Sequence, residues 1–235
     1  MFYFLGCFYM KRKFYTELAY VLGLLTLALG AALMTMADFG LSMIVAPAYL
    51  LHLKVSEYLP FFSFGMAEYS FQALLLVVTV AVLRRFKISY LLSFVTAFIY
   101  GMLLDGYLFL LSFIGWDPMY MRIGAYTAGI VLTVVGVALF FRTYISPEVY
   151  ELLVKEVSKR FELELGTFKT VYDMSSLLMS VVLSFAFFGL WHFEGIGWGT
   201  LICALINGRL IALVTKLLDR RFEFCDGLRW RSFFE

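Results

Sequence analysis

Six apolar stretches, each about 20 residues or longer, dominate this sequence. They occupy residues 15–37, 65–84, 88–114, 121–142, 167–190 and 198–219. A helix needs about 20 mainly apolar residues to cross the hydrocarbon core of a bilayer. With 63% hydrophobic and 15% charged residues, the chain carries more apolar surface than a soluble core of 235 residues can bury. The sequence therefore predicts an all-α, polytopic helical membrane protein with six transmembrane helices in the lipid bilayer.

The basic residues indicate how these helices are oriented. With six spans, 16 of the 19 Lys and Arg residues fall on one side of the membrane, which the positive-inside rule identifies as the cytoplasmic side. Two others fall on the opposite side, and Arg209 lies inside the sixth span. We therefore expect cytoplasmic termini, with residues 220–235 forming a cytoplasmic basic tail. Translation could start at Met1 or at Met10.

Two shorter segments between the spans are predicted to be helical without crossing the membrane. Residues 41–53 are apolar but only about 13 residues long and contain Pro47, which favours an interfacial or re-entrant helix on the outer side. Residues 147–161 have apolar side chains on one helical face and charged side chains on the other. Ser146 is a suitable cap for this helix, and we expect the helix to lie on the inner membrane surface.

The chain also contains an internal repeat, residues 15–114 and residues 121–219. Two pairs of glycines, each with a spacing of seven, recur at an offset of 106 residues: Gly23 and Gly30, then Gly129 and Gly136. Each unit contains three spans and one short non-spanning helix. Because three is odd, two such units in tandem enter the membrane from opposite sides. The sequence thus predicts two inverted three-helix repeats, an arrangement common in secondary transporters.

Two small-residue motifs carry a resemblance to a known family. The first runs from Gly30 through Ala37-Asp38-Phe39-Gly40-Leu41-Ser42 to Pro47 and continues with Phe64-Gly65; the second is Gly195-Ile196-Gly197-Trp198-Gly199-Thr200 with Ala204-Leu205-Ile206-Asn207-Gly208. Together they resemble the YczE/YitT-type bacterial membrane proteins, which are usually described as five-spanning and functionally uncharacterised. The resemblance implies a bacterial cytoplasmic (inner) membrane location. This chain departs from the family in supporting six spans and in carrying Arg209.

Polar residues inside the spans are the candidates for a binding site, because ionisable groups in a membrane are costly and usually face a cavity or a partner. The candidates are Glu68, Gln72, Asp105, Asp173, Asn207 and Arg209. One interpretation is a polar cavity between the repeats, with Arg209 holding an anionic group or pairing with Asp105, and with Glu68 or Asp105 binding a coupling proton or cation. The alternative is structural: an interfacial Glu68, an Arg209–Asp105 ion pair and an Asp173 that caps its span.

The sequence lacks the motifs of several other classes of protein. It has no nucleotide-binding loop, no metalloprotease or serine-hydrolase motif and no Cys/His cluster. We therefore expect no enzyme activity, no cofactor, no metal site and no nucleic-acid partner. The predicted function is that of a small secondary transporter or permease for a small polar or anionic solute, with a homodimer compatible with its small size. The alternative is a non-transporting membrane sensor, accessory subunit or scaffold.

Overall fold

The computed structural model describes residues 12–190 and 195–228. The start of translation and the end of the basic tail lie outside these residues. Within them, eight helices and two short strands follow one another. They are β1 (Arg12–Tyr15), α1 (Thr16–Ala37), α2 (Ala46–Ser56), α3 (Phe64–Leu83), α4 (Ile88–Leu111), α5 (Met119–Phe140), α6 (Val149–Arg160), α7 (Leu165–Phe188), α8 (Trp198–Arg221) and β2 (Phe222–Cys225).

The six predicted spans correspond to α1, α3, α4, α5, α7 and α8, all of which are long and apolar enough to cross a membrane. Strands β1 and β2 pair in parallel, with Arg12 opposite Phe222. The strand that precedes α1 and the strand that follows α8 therefore lie at the same end of the bundle, as an even number of spans requires. We call this end the terminal face. The chain is a multi-pass α-helical membrane protein, and part of its predicted basic tail is strand β2.

Further contacts hold the terminal face together. Glu17, in the first turn of α1, accepts hydrogen bonds from the backbone N–H of Gly227 at 3.1 Å and of Leu228 at 2.8 Å. Its carboxylate also accepts a bond from the Tyr144 hydroxyl at 2.7 Å. Burial and this neighbouring carboxylate raise the pKa of Tyr144 to about 12. The first turn of α1 is thus joined both to the end of the chain and to the segment that follows α5.

Helices α1 and α5 cross in close contact at two pairs of glycines. A Cβ placed on Gly30 would lie 2.8 Å from the carbonyl oxygen of Gly129, and a Cβ on Gly23 would lie 3.1 Å from that of Gly136. Any larger residue would push the two backbones apart. The contacts pair low numbers with high numbers, so the helices are antiparallel. These four glycines, singled out by the sequence repeat, thus form the packing surface at the centre of the bundle.

The short helices α2 and α6 both pack against the long helices. Glu148, the N-cap of α6, contacts Gln72 near the middle of α3, and α6 packs against α3, α4 and α7. Every residue from Val149 to Val154 is buried. The expectation of a surface helix at 147–161 is therefore wrong for its first half, because neighbouring helices rather than water surround it. The predicted cap also shifts: the Ser146 carbonyl accepts a hydrogen bond from Thr96 instead, at 3.0 Å.

The two short helices converge on one point in the bundle interior. The start of α2, at Ser42 and Val45, lines the same cavity as the start of α6, at Glu148. From there α6 runs toward the terminal face, where Glu156 contacts Lys87 in the α3–α4 loop. Helix α2 follows α1 and so runs toward the opposite face. Both short helices thus begin inside the bundle and run outward in opposite directions, an arrangement that the sequence allowed for α2 alone. We call them the re-entrant helices.

Candidate functional site

A small cavity lies where the two re-entrant helices begin. Its volume is about 40 Å³, and since one water needs roughly 10–15 Å³ of such space, it has room for a few water molecules or a dehydrated cation. Its wall combines both re-entrant segments with several of the long helices. The polar residues that line it include Ser42, Tyr100, Glu148, Glu151, Lys169 and Asn207. Apolar side chains such as Leu27 and Ile211 form the rest of the wall, so the polar groups stand in a largely apolar cavity, which we call the central chamber.

Two carboxyl groups line this chamber, those of Glu148 and Glu151, and two more, those of Glu68 and Asp173, lie close enough to interact electrostatically with them. We call these four the carboxylate cluster. None is more than 4% exposed. A single ammonium group accompanies them, that of Lys169, whose Nζ lies 3.1 Å from Asp173 Oδ1. With every group ionised, four acids and one base carry a net charge of −3. A buried site does not sustain such an excess, so protons or a bound cation must neutralise most of it.

Hydrogen bonds fasten the start of α6 to α3. The Gln72 amide nitrogen donates to Glu148 Oε2 at 3.0 Å, and its oxygen accepts from the backbone N–H of Val149 at 3.0 Å. The Tyr150 hydroxyl donates to Glu68 Oε2 at 3.0 Å. One oxygen each of Glu68, Glu148 and Glu151 has no hydrogen-bond partner among the described residues. Buried oxygens are rarely left so, which indicates where protons, water or a cation bind.

The pKa values of the two acids at the start of the re-entrant helix α6 are shifted in the same direction. Burial, with the charges of Glu151 and Glu68 nearby, raises the pKa of Glu148 well above its ordinary value. Burial also raises the pKa of Glu151, an effect that the ammonium of Lys169 partly offsets. These carboxyls therefore keep their protons to a higher pH than exposed ones do. When they release them, the negative charge formed in the chamber favours a cation.

The structure brings together four of the six residues predicted from the sequence. Glu68 and Asp173 belong to the carboxylate cluster, Gln72 hydrogen-bonds one of its members, and Asn207 lines the cavity from α8. Asp173 is engaged with Lys169 one turn away rather than capping the start of its helix. Polar residues of α3 and α7 thus interact with the two acids that line the chamber.

The other two predicted residues lie apart from the chamber and from each other. Asp105 accepts hydrogen bonds from the Gly65 backbone N–H at 2.8 Å and from the Ser63 hydroxyl at 2.5 Å, so it holds the start of α3. Arg209 is exposed on α8. It follows Asn207 by two residues, a turn of about 200° around the helix, and therefore points away from the cavity. The predicted Arg209–Asp105 pairing is wrong.

Sequence reasoning missed Glu148, Glu151 and Lys169. It placed the first two on a surface helix and counted the third only among the basic residues of the cytoplasmic side. A usable signal was present: the segment Val149–Val154 is apolar on every side except at Glu151, and a helix that is apolar all round is buried. An acid in such a segment is a candidate for a functional site.

Comparison with known proteins gives a family but no function. No curated protein and no solved structure matches this chain. Residues 14–216 match a family described as a family of unknown function, DUF6198. The match includes the six long helices up to the last turns of α8, both re-entrant helices and the whole carboxylate cluster. The chain belongs to the DUF6198 family.

Proposed function

We propose that this protein is a small secondary transporter in which the carboxylate cluster binds a cation, as substrate or as coupling ion. The observation that carries the proposal is the cluster itself: four buried carboxyls with one ammonium group, of which Glu148, Glu151 and Lys169 line a cavity of about 40 Å³. In secondary transporters, substrate and coupling-ion sites lie near the midplane, beside discontinuous helices. Here α2 and α6 present their N-termini to the cavity, and the partial positive charge of those ends is outweighed by the four carboxyls. The excess of negative charge favours a small cation or a proton over the anionic solute that the sequence suggested.

The helix packing supports two inverted repeats, α1–α4 and α5–α8. The order of a long helix, a short helix and two long helices occurs in both halves. Helix α1 packs on α4 as α5 packs on α8, and α3 packs on α6 as α7 packs on α2. Each re-entrant helix thus packs on a long helix of the other half. Movement of one half against the other would open the chamber to each face in turn, which is the essential motion of alternating access.

Individual contacts support the same symmetry. Gly23 meets Gly136 and Gly30 meets Gly129, which is the reciprocal pattern that a two-fold axis produces between equivalent residues. Two further hydrogen bonds are equivalent: Tyr20 to Thr96 at 2.8 Å, and Tyr126 to the Cys203 sulfur at 3.3 Å. Tyr126 follows Tyr20 by 106 residues, and Cys203 follows Thr96 by 107.

The orientation and the membrane are part of the proposal. The basic loops lie at the terminal face, and the positive-inside rule places that face in the cytoplasm. The resemblance to YczE/YitT-type proteins supports the cytoplasmic membrane of a bacterium as the location. Protons on the outer side of the membrane would then reach the chamber through the outer part of the bundle, where α2 lies.

The proposal is tested by electrical recording from proteoliposomes on a solid-supported membrane. The purified protein is exposed to concentration jumps of Na⁺, K⁺ and Li⁺ and to jumps of pH. We expect a transient current with at least one of them for the wild type and none for Glu151→Gln, which removes a charge from the cavity wall while keeping its volume. Size-exclusion chromatography of both proteins checks that the variant is folded.

Two controls define what the result means. Glu223→Gln removes an exposed carboxylate on β2, and Arg209→Ala removes the exposed guanidinium on α8; both variants should keep the wild-type current. Currents that persist in Glu151→Gln would overturn the proposed cation site. Loss of current in Arg209→Ala alone would restore the anionic-solute hypothesis. If the wild type gives no current with any of the ions, the alternative role of sensor, accessory subunit or scaffold is favoured.

A further inference from the structure

A second, larger cavity opens at the terminal face and is lined by none of the residues of the carboxylate cluster. Its volume is about 430 Å³, within the usual range for a small-molecule site. One wall is the second half of α6, another is the start of α4, and the third is the segment 143–147 between α5 and α6. Tyr144, on this wall, bonds Glu17 in the first turn of α1, which places the cavity at the terminal face.

The charge of this cavity is opposite to that of the central chamber. Lys87, Lys155 and Lys159 line it together with one acid, Glu156. Glu156 is already engaged, since it accepts a hydrogen bond from Tyr90 at 3.0 Å and lies 3.7 Å from the Lys87 ammonium. Among the ion pairs of the described residues, none involves Lys155 or Lys159. Two ammonium groups, spaced four residues apart on one face of α6, are thus left to attract an anion.

We infer that this cavity binds the phosphate group of an anionic ligand. Lysine ammonium groups are good phosphate ligands, and the hydroxyl of Ser89 adds a further hydrogen-bonding group on the opposite wall. Basic pockets between helices at a membrane interface bind phospholipid head groups, while a soluble phosphate compound would use the same contacts. The site does not depend on the proposed transport function, because it shares no residue with the central chamber.

The test is ligand-dependent thermal stability of the detergent-purified protein in phosphate-free buffer. Short-chain phosphatidylglycerol, short-chain phosphatidylcholine and inorganic phosphate are titrated against the wild type. We expect phosphatidylglycerol, inorganic phosphate or both to raise the melting temperature. Stabilisation by phosphatidylglycerol but not by phosphatidylcholine or inorganic phosphate identifies a lipid head group. Stabilisation by inorganic phosphate shows that a soluble phosphate compound is sufficient to occupy the cavity.

The matched variants are Lys155→Gln/Lys159→Gln and Lys13→Gln/Lys216→Gln, which lose the same charge, the second pair from positions outside the cavity. The first pair should weaken the apparent affinity by tenfold or more, because it removes two charge-assisted bonds to the anion; a tenfold change corresponds to about 1.4 kcal/mol. The second pair should leave it unchanged. Equal weakening in both variants, or no stabilisation of the wild type by either anion, overturns the inference.

A second measurement uses the wild type alone, so it does not depend on how the variants fold. Lysines are acetylated with a limiting amine-reactive reagent, with and without the stabilising anion, and quantified by mass spectrometry. Lys155 and Lys159 should be protected by the ligand, whereas Lys13 should react equally in both samples. Protection that is uniform across the three lysines would show general charge screening and would contradict a site.

Discussion

Replacing Glu148 by glutamine should make the protein's stability less dependent on pH. In the structure Glu148 is buried at the start of α6, where it accepts a hydrogen bond from the Gln72 amide. The side-chain oxygen of the introduced glutamine accepts the same bond, so the local geometry is kept. What changes is the proton, because burial and the neighbouring acids raise the pKa of Glu148 well above its ordinary value and an amide does not titrate.

The sign and size of the effect follow from proton linkage. Above the unfolded-state pKa of about 4.3, the folded protein binds more protons at this site than the unfolded chain, so its stability falls as pH rises. The fall is about 1.36 kcal/mol per pH unit for each group until the folded pKa is reached. Between about pH 6 and pH 8, Glu148 therefore lowers the free energy of unfolding by no more than about 3 kcal/mol. Glu151 acts in the same direction.

The assay is equilibrium unfolding in mixed detergent micelles, with choline as the only added cation, at several values between about pH 6 and pH 8. Glu148→Gln should lose less stability over this range than the wild type and should be the more stable protein at its alkaline end. Glu223→Gln, which alters an exposed acid on β2, should keep the wild-type slope. The reasoning is refuted if Glu148→Gln and the wild type lose stability in parallel.

Three further substitutions test the packing at the α1–α5 crossing and the contacts of the carboxylate cluster. Gly30→Ala places a methyl group 2.8 Å from a backbone oxygen of the facing helix and should cost about 1–3 kcal/mol, whereas Gly106→Ala, with no atom within 4 Å, should show no loss in the same melting experiment. Tyr150→Phe deletes a buried hydroxyl donor, and denaturant titration should give a loss of about 1–3 kcal/mol. Lys169→Met leaves Asp173 without its ion pair and should cost about 3–5 kcal/mol. The double variant Lys169→Met/Asp173→Asn should recover part of that loss, and no recovery would argue against the pair.

The spans were predictable because a membrane helix is specified almost entirely by local properties. Length and apolar composition identify α1, α3, α4, α5, α7 and α8 with little help from the rest of the fold. The position of α6 is different, because whether an amphipathic segment lies on a surface or enters the bundle depends on what surrounds it. Its second half, with Lys155 and Lys159, does have the polar face that the sequence indicated. Its first half is covered by α3 and α7.

The candidate site was partly predictable for the same reason. Glu68, Gln72, Asp173 and Asn207 were found because a polar residue within a span is costly and so stands out. Arg209 stood out equally, yet helical geometry directs it away from the chamber. Glu148 and Glu151 did not stand out, because acids outside a span are ordinary. Their importance arises only when the segment that carries them turns back into the bundle.

The pairing of β1 with β2 makes the terminal face sensitive to how many helices have been inserted. During synthesis β1 leaves the ribosome before the first span, and β2 leaves it after the sixth. If one helix failed to insert, the number of crossings would be odd, and the two strands would stand on opposite sides of the membrane. Neither the strand pair nor the bonds from Gly227 and Leu228 to Glu17 could then form. A formed β1–β2 pair therefore marks a chain that has inserted an even number of helices. An unpaired β2 strand would mark a chain that has inserted an odd number.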